Sequence, residues 1–262
     1  MFSPQFDNPA FWDAAAEYQR VVHPFTAAFA QRAWEEAALP PGARVIDIAC
    51  GTGALALLAA DAGAQVLATD FSPGMVARVE ERGHPNIQAR VMDGQALDLR
   101  DGGFDAAFSI FGIILFADWR AGLREMARVV KPGGIGVLGT WTHPHGAAFN
   151  KLLADLVAEI APEHLVPPSP ATGLGALREP ASVAARMEEA GLRDVRLLEH
   201  THPFIVPVEE ALGHQRFFAF SPLWPLLSPD QQGAVVAAMR ARAVDGELRI
   251  PSTALIAIGR KV

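Results

Sequence analysis

The stretch "VIDIACGTGALAL", Val45 to Leu57, constrains this chain more than any other. An apolar run meets two glycines one residue apart and continues as an alanine- and leucine-rich segment. Glycine takes positive φ at little cost, so the pattern predicts a strand that turns sharply into a helix. A strand buried on both faces and followed by a helix belongs in a parallel sheet, because the helix carries the chain back across the sheet. The rhythm continues: strands are expected at 44–49, 65–69, 87–91, 104–110 and 134–140, with helices at 53–62, 74–83 and 118–130.

After Trp141 the rhythm changes. Residues 141–178 contain "HLVPPSPATGLG", an irregular insertion with one helix expected near 146–160. A helix at 180–190 closed by Gly191, a strand at 192–199, helical stretches at 207–219 and 229–244 and a last strand at 252–261 complete the chain. The expected organisation is an N-terminal helical cap (1–38), a core (39–140), an insertion (141–178), core again (179–200), a helical insertion (201–250) and a last core strand (251–262). The cap carries Phe11, Trp12, Tyr18, Val22, Phe25 and Phe29 at helical spacing, with Pro24 read as a break and His23 as a turn residue. Such insertions commonly form a lid over the site.

Gly51, Gly53 and Ala56 satisfy the G-x-G-x-x-A dinucleotide pattern, and Asp70 ends the second strand. Alone, this supports a nicotinamide dinucleotide as well as any other nucleoside ligand. Asp47 argues against the dinucleotide. A pyrophosphate at the turn would stand roughly 5 Å from its carboxylate, a repulsion of about 3 kcal/mol at an effective dielectric near 20. S-adenosylmethionine reverses the sign, since it carries an ammonium and a sulfonium and no phosphate. Asp47 suits the cationic end. Asp70 suits the ribose diol, where charge-assisted hydrogen bonds contribute about 1.5–3 kcal/mol. Two plainer uses stay open: Asp47 capping the helix that begins near Gly53, and Asp70 capping the next, although Ser72 before Pro73 is the better cap.

Cys50 reads as a small filler rather than a nucleophile, with no histidine or acid beside it in sequence to activate it. Met92, Asp93 and Gly94 follow the third strand. Met92 can pack on an adenine ring and Asp93 accept from its amino group, against the alternative of a surface turn. Ile110 and Phe111 end the fourth strand at the mouth of the pocket.

The chain's formal net charge is −7, and its arginines are scattered among acids, so nucleic acid is a poor partner and a small molecule a better one. One cysteine in 262 residues forms no internal disulfide, and the N-terminal stretch has no cationic start followed by an apolar block. A cytoplasmic setting is expected. The longest apolar run, "AAFSIFGIILFA", is too short to cross a bilayer, so no membrane association is expected.

His143 and His145, just past the fifth strand, are the candidate general bases, against the alternative that they shape their loop. With no acid near them in sequence they make a poor metal site, and no metal is expected. His214 and Tyr18 are further candidates for reaching the substrate. The aromatics Phe217, Phe218, Phe220 and Trp224, with those of the N-terminus, suit an apolar acceptor pocket; packing of the lid or a homodimer contact would use them equally.

Taken in order, "VIDIACGTG", "LATDFSPGMV", "VMDGQALDL", "FDAAFSIFGIILFADWRAGLREMARVVKPGG" and "LGTW" resemble the class I S-adenosylmethionine-dependent methyltransferases. Within them the chain looks most like small-molecule enzymes related to the quinone-biosynthesis C-methyltransferases. The resemblance implies a Rossmann-like α/β fold, a mostly parallel seven-stranded sheet with an antiparallel last strand. It implies methyl transfer from S-adenosylmethionine, leaving S-adenosylhomocysteine, to O, N or C of a small apolar or aromatic acceptor. It implies cofactor contacts at Asp47, Ala49, Gly51, Asp70, Met75, Asp93, Gly94 and Phe111, and the expected cofactor-binding set adds Tyr18, Cys50, Gly53, Phe71, Met92 and Ile110 to these. Ala49 departs from the glycine often found there, which suits a negative φ. The Asn/Asp-Pro-Pro-Tyr/Phe motif of base-methylating enzymes is absent, as is the acidic set of magnesium-dependent catechol enzymes. A non-catalytic cofactor-binding module and an NAD-dependent oxidoreductase are the alternatives.

Overall fold

The structure is a computed structural model that describes residues 22–213, 221 and 223–262. Phe11, Trp12, Tyr18, His214, Phe217, Phe218 and Phe220 lie outside the described residues. In chain order the main elements are α1 (His23–Ala37), β1 (Arg44–Ile48), α2 (Ala54–Asp61), β2 (Gln65–Asp70), α3 (Pro73–Glu80), β3 (Ile87–Val91), β4 (Phe104–Ile110), α4 (Trp119–Val129) and β5 (Val130–Trp141). They continue with α5 (Ala148–Ile160), α6 (Gly173–Ala176), α7 (Pro180–Glu189), β6 (Leu192–Pro207), α8 (Val208–Gly213), α9 (Pro229–Arg242) and β7 (Glu247–Lys261).

The seven strands form one sheet in the order β3-β2-β1-β4-β5-β7-β6. The first five run parallel, while β7 runs antiparallel to both β5 and β6. Val45, Ile46 and Ile48 of β1 are fully buried, as a central strand covered on both faces requires. One hydrophobic cluster contains Phe29, Ile46, Phe111 and Trp141; a second contains Val45, Leu55, Ala56, Ala68 and Phe108.

Local signals account for the helix starts. The Ser72 hydroxyl accepts from the Met75 N–H at 3.3 Å, with Pro73 in the first turn of α3. Asp118 accepts from the Ala121 N–H and starts α4, whose buried Trp119, Leu123, Met126 and Ala127 recur at helical spacing. Pro24 marks a helix start, as the expected break allows, and the residues before Val22 lie outside the described ones. Pro24 occupies the first turn of α1, where its missing N–H costs nothing, and His23 is the helix's first residue rather than a turn.

Three strands differ from expectation. β5 begins at Val130, paired with Phe104, and the Pro132-Gly133-Gly134 segment is a register shift within it. β6 and β7 extend to Pro207 and back to Glu247, so part of the expected helical insertion over 201–250 is a two-stranded arm. Pro203 and Pro251 lie within these stretches, although a proline is normally confined to a strand's edge or first residue. They are tolerated because the two face each other in register on an arm where β6 is the sheet edge and β7 has passed the end of its pairing with β5 at Ala254.

Candidate functional site

β1 pairs with β2 on one side and β4 on the other. The connections diverge here, so the loops after β1 and β4 part and leave a crevice at the carboxyl ends of the strands. The segments around Ala49–Gly53, Asp70–Ser72, Met92–Gly94 and Ile110–Gly112 leave these ends together.

Asp47 is 2 % exposed and Asp70 is 6 % exposed. Asp47 Oδ2 accepts from the Ala56 N–H at 3.1 Å, so it does hold the first turn of α2, as the plainer reading allowed. Burial drives its pKa up to about 7; the Ala56 bond opposes this, and the negative charge of Asp70 adds to it. Asp70 Oδ2 accepts from the Gly51 N–H at 2.9 Å and Oδ1 from the Ser72 N–H at 3.0 Å. Its pKa is also raised by burial, against the backbone hydrogen bonds that favour the anion. Neither carboxylate has a salt-bridge partner among the described residues. Two buried acids without a cation make a poor seat for a pyrophosphate and a suitable one for a positively charged nucleoside.

Ala49 does not have the expected negative φ. Its φ is +57°, in the left-handed region, as are those of Gly51 (+52°) and Gly53 (+84°) that follow it. An alanine there costs on the order of 1–2 kcal/mol. Its methyl is accommodated because residue 112 is glycine: a Cβ at Gly112 would stand 2.5 Å from the Ala49 Cβ and 2.9 Å from Ser109 Oγ. The Cys50 thiol is buried and pushed well up, by burial first and then by Asp70 and Asp47, so it remains a protonated filler.

The remaining cofactor candidates divide by environment. Met75 and Gly94 are buried, and Phe71, Met92 and Ile110 are half-buried. The exposed Asp93 accepts from both the Gln95 N–H and Gln95 Nε2, as in a surface turn; its adenine role therefore has a competitor already in place.

An aromatic wall that the sequence reading did not assemble stands beside this crevice. Phe111, with φ +68°, lies on Trp141 with centroids 3.6 Å apart and planes 7° from parallel. Phe25 lies near-parallel on Trp141 at 5.8 Å, and Phe29 meets Phe111 and Trp141 edge-on at 5.4 and 5.1 Å. Phe204 meets Phe25 edge-on at 5.4 Å. Phe111 and Trp141 end β4 and β5, and that position was their only signal in sequence. Phe25 and Phe29 carried none beyond helical spacing.

His143 is held on both nitrogens. Its Nδ1 accepts from the His145 N–H at 3.2 Å, and its Nε2 faces Asp155 Oδ1 at 3.4 Å. The fold thus supplies an acid that is distant in sequence, and Lys151 shares that acid at 2.7 Å. No hydrogen bond reaches the His145 ring among the described residues. Burial lowers the pKa of both histidines, and Asp155 opposes the shift. No group of three or more His, Cys, Asp or Glu among the described residues could hold a metal ion. Asp155 also lines a groove of about 440 Å³ between α5, α9 and β7. Within that groove Lys151 pairs with Asp155 and Arg242 with Glu159, and Arg249 pairs with Glu247 beside it.

This architecture recurs in solved structures. A putative methyltransferase from Bacillus halodurans superposes with a TM-score of 0.57 at 17 % identity, over 88 % of this chain and 98 % of that one. A phosphoethanolamine N-methyltransferase from Haemonchus contortus, solved with phosphomonomethylethanolamine and S-adenosylhomocysteine, gives a TM-score of 0.54 at 16 % identity, over 89 % of this chain and 52 % of that one. The fold is therefore that of a Rossmann-like methyltransferase. Residues 45–134 match the family model described as a methyltransferase domain. A demethylmenaquinone methyltransferase from Mycolicibacterium vanbaalenii is 36 % identical over 177 residues, 64 % of this chain and 76 % of that protein. The chain belongs to the class I S-adenosylmethionine-dependent methyltransferases, in the quinone-biosynthesis group. The expectation of a methyltransferase acting on a small acceptor stands, and the oxidoreductase alternative falls. No helix among the described residues is long and apolar enough to cross a membrane.

Proposed function

We propose that this enzyme methylates a flat, apolar ring, with a quinone-type carbon acceptor as the leading class. The observation that carries the reading is the Phe111–Trp141 stack, 3.6 Å between centroids, at the ends of the strands beside the carboxylate-lined crevice. Phe111 and Trp141 are 8 % and 9 % exposed with Phe25 and Phe29 packed against them, so the wall they give the crevice is aromatic and uncharged, which suits a planar hydrophobic acceptor and disfavours a small polar amine. The relative's name points to the same chemistry.

S-adenosylmethionine, when bound, supplies a methyl already activated by its sulfonium. The residues that would hold it are Asp47 toward the cationic end, Asp70 toward the ribose, and the 49–53 turn against the body of the ligand. Met75, Met92 and Gly94 belong to the adenine side, with Phe111 at the mouth. The protein's task is to align the acceptor and exclude water, and alignment alone contributes up to about 7–11 kcal/mol at its favourable limit. Where the acceptor must lose a proton, His145 is the better base, because its ring is neutral at pH 7 and unengaged. His143, with both nitrogens occupied, supports the turn that presents it.

Calorimetry with S-adenosylmethionine and S-adenosylhomocysteine tests the cofactor half. A labelled-methyl assay comparing a demethylated quinone, apolar phenols and small polar amines tests the acceptor half, and also decides against a non-catalytic module. Exclusive transfer to polar amines would remove the ring assignment; absence of cofactor binding would remove the whole reading.

A further inference from the structure

The helix α1 touches both halves of the site within its first two turns. At its first residue, His23 Nδ1 lies 2.8 Å from the hydroxyl of Thr52, in the middle of the glycine turn. Two and six residues later, Phe25 and Phe29 pack on Trp141. Thr52 is 2 % exposed, so its hydroxyl has no free access to water and depends on a protein partner.

The turn's other ties come from the sheet or from itself. Cys50 N–H donates to the Thr69 carbonyl, Gly51 N–H to Asp70, and Gly53 N–H to the Cys50 carbonyl. The His23 bond is the side-chain tie that reaches the turn from α1, across 29 residues of sequence. Burial, and then the neighbouring Arg82, lower the His23 pKa, which makes the contact a neutral hydrogen bond at pH 7.

We infer that His23 is a positioning residue. Through Thr52 it holds the cofactor turn in its binding shape, and through α1 it locks that turn to the aromatic wall that receives the acceptor. The inference rests on the methyltransferase reading above and names a residue in which no chemistry takes place. One bond of this kind contributes about 0.5–1.5 kcal/mol, which corresponds to roughly 3–10-fold in affinity.

Titration calorimetry of the full chain with S-adenosylhomocysteine, on wild type, His23→Ala, His23→Asn, Thr52→Val and the double variant His23→Ala/Thr52→Val, tests it. His23→Ala and Thr52→Val are expected to weaken binding by roughly 3–10-fold each, and the double variant by no more than the worse single one. His23→Asn, whose side-chain amide can replace the Nδ1 contact, is expected to recover binding to within about twofold. In turnover, His23→Ala is expected to raise the acceptor KM as well, because Phe25 follows His23. Should His23→Ala not fold, Thr52→Val reads the same bond from the other side. Wild-type binding matched by both single variants, additive losses, or no rescue by asparagine would overturn the proposal alone. A wild type that binds no S-adenosylhomocysteine would overturn the functional reading, and this proposal with it.

Discussion

Asp47 and Asp70 end adjacent parallel strands, and the charge of Asp70 helps burial to hold the Asp47 carboxyl protonated up to about pH 7. With a carboxylate pKa raised from 3.8, the folded protein binds more protons than the unfolded chain between about pH 4 and 7. The group's contribution to stability is therefore full below pH 4, is lost as pH rises toward 7, and stays lost above that. Asp47→Asn removes this loss while leaving an oxygen to accept from Ala56. The variant is expected to be more stable than wild type at pH 8 by about 1–3 kcal/mol, roughly 2–8 °C in Tm, with little gain at pH 4. Thermal melts of the ligand-free protein at the two pH values check this. A gain that does not depend on pH would contradict the assignment.

The same carboxyl is expected to make cofactor binding depend on pH. It must ionise to attract a cation, so affinity for S-adenosylmethionine is expected to rise about 5–10-fold from pH 6 to pH 8. In Asp47→Asn the dependence is expected to vanish and affinity to fall at least about tenfold at pH 8. Calorimetry across pH reads both.

Ala49 and Gly112 interlock, and their variants should show it. Ala49→Gly relieves a left-handed alanine and is expected to stabilise the protein by about 0.5–1 kcal/mol. Gly112→Ala drives a methyl onto the Ala49 methyl and is expected to cost about 1–3 kcal/mol. The pair should be non-additive, with Ala49→Gly partly rescuing Gly112→Ala. Denaturant melts of the four proteins settle the coupling, and strict additivity would show that the two side chains do not compete for one space.

Trp141→Leu keeps an apolar residue but removes the ring face. It is expected to raise the acceptor KM at least about fivefold while changing affinity for S-adenosylhomocysteine less than twofold. Equal losses in both would place Trp141 in the general support of the site and not on the acceptor side.

His145→Gln is expected to lower kcat more than about tenfold at saturating acceptor, and His143→Gln to cost less. Because burial lowers the His145 pKa from 6.5, the acidic limb of the kcat profile should lie below pH 6.5 in wild type and be absent in His145→Gln. Undiminished turnover in His145→Gln would mean that the acceptor needs no base from this loop.

Much of the fold was legible along the chain. The β1 turn into α2, the Ser72 cap of α3 and the amphipathic α4 all rest on interactions spanning a few residues, and the pattern of residue types carries them directly. β6 and β7 run well beyond the expected 192–199 and 252–261, through Pro203 and Pro251, where a proline is normally confined to a strand edge. Their prolines are permitted by where the arm lies in the sheet, and no local pattern encodes that. Ala49 was misjudged for a related reason: the room for its methyl is created by Gly112, on another strand end.

The sequence by itself determined the alternation of strands and helices and the presence of a carboxylate at the end of each of the first two strands. It thereby determined which acids line the crevice, because backbone geometry and residue chemistry act over short separations. Only the tertiary structure decided that His23 meets Thr52, that Phe25 and Phe29 close on Phe111 and Trp141, and that Asp155 occupies His143. Those partners lie on different elements, from 12 to more than 100 residues apart in the chain, and which side chains meet depends on how helices and strand ends pack across the sheet.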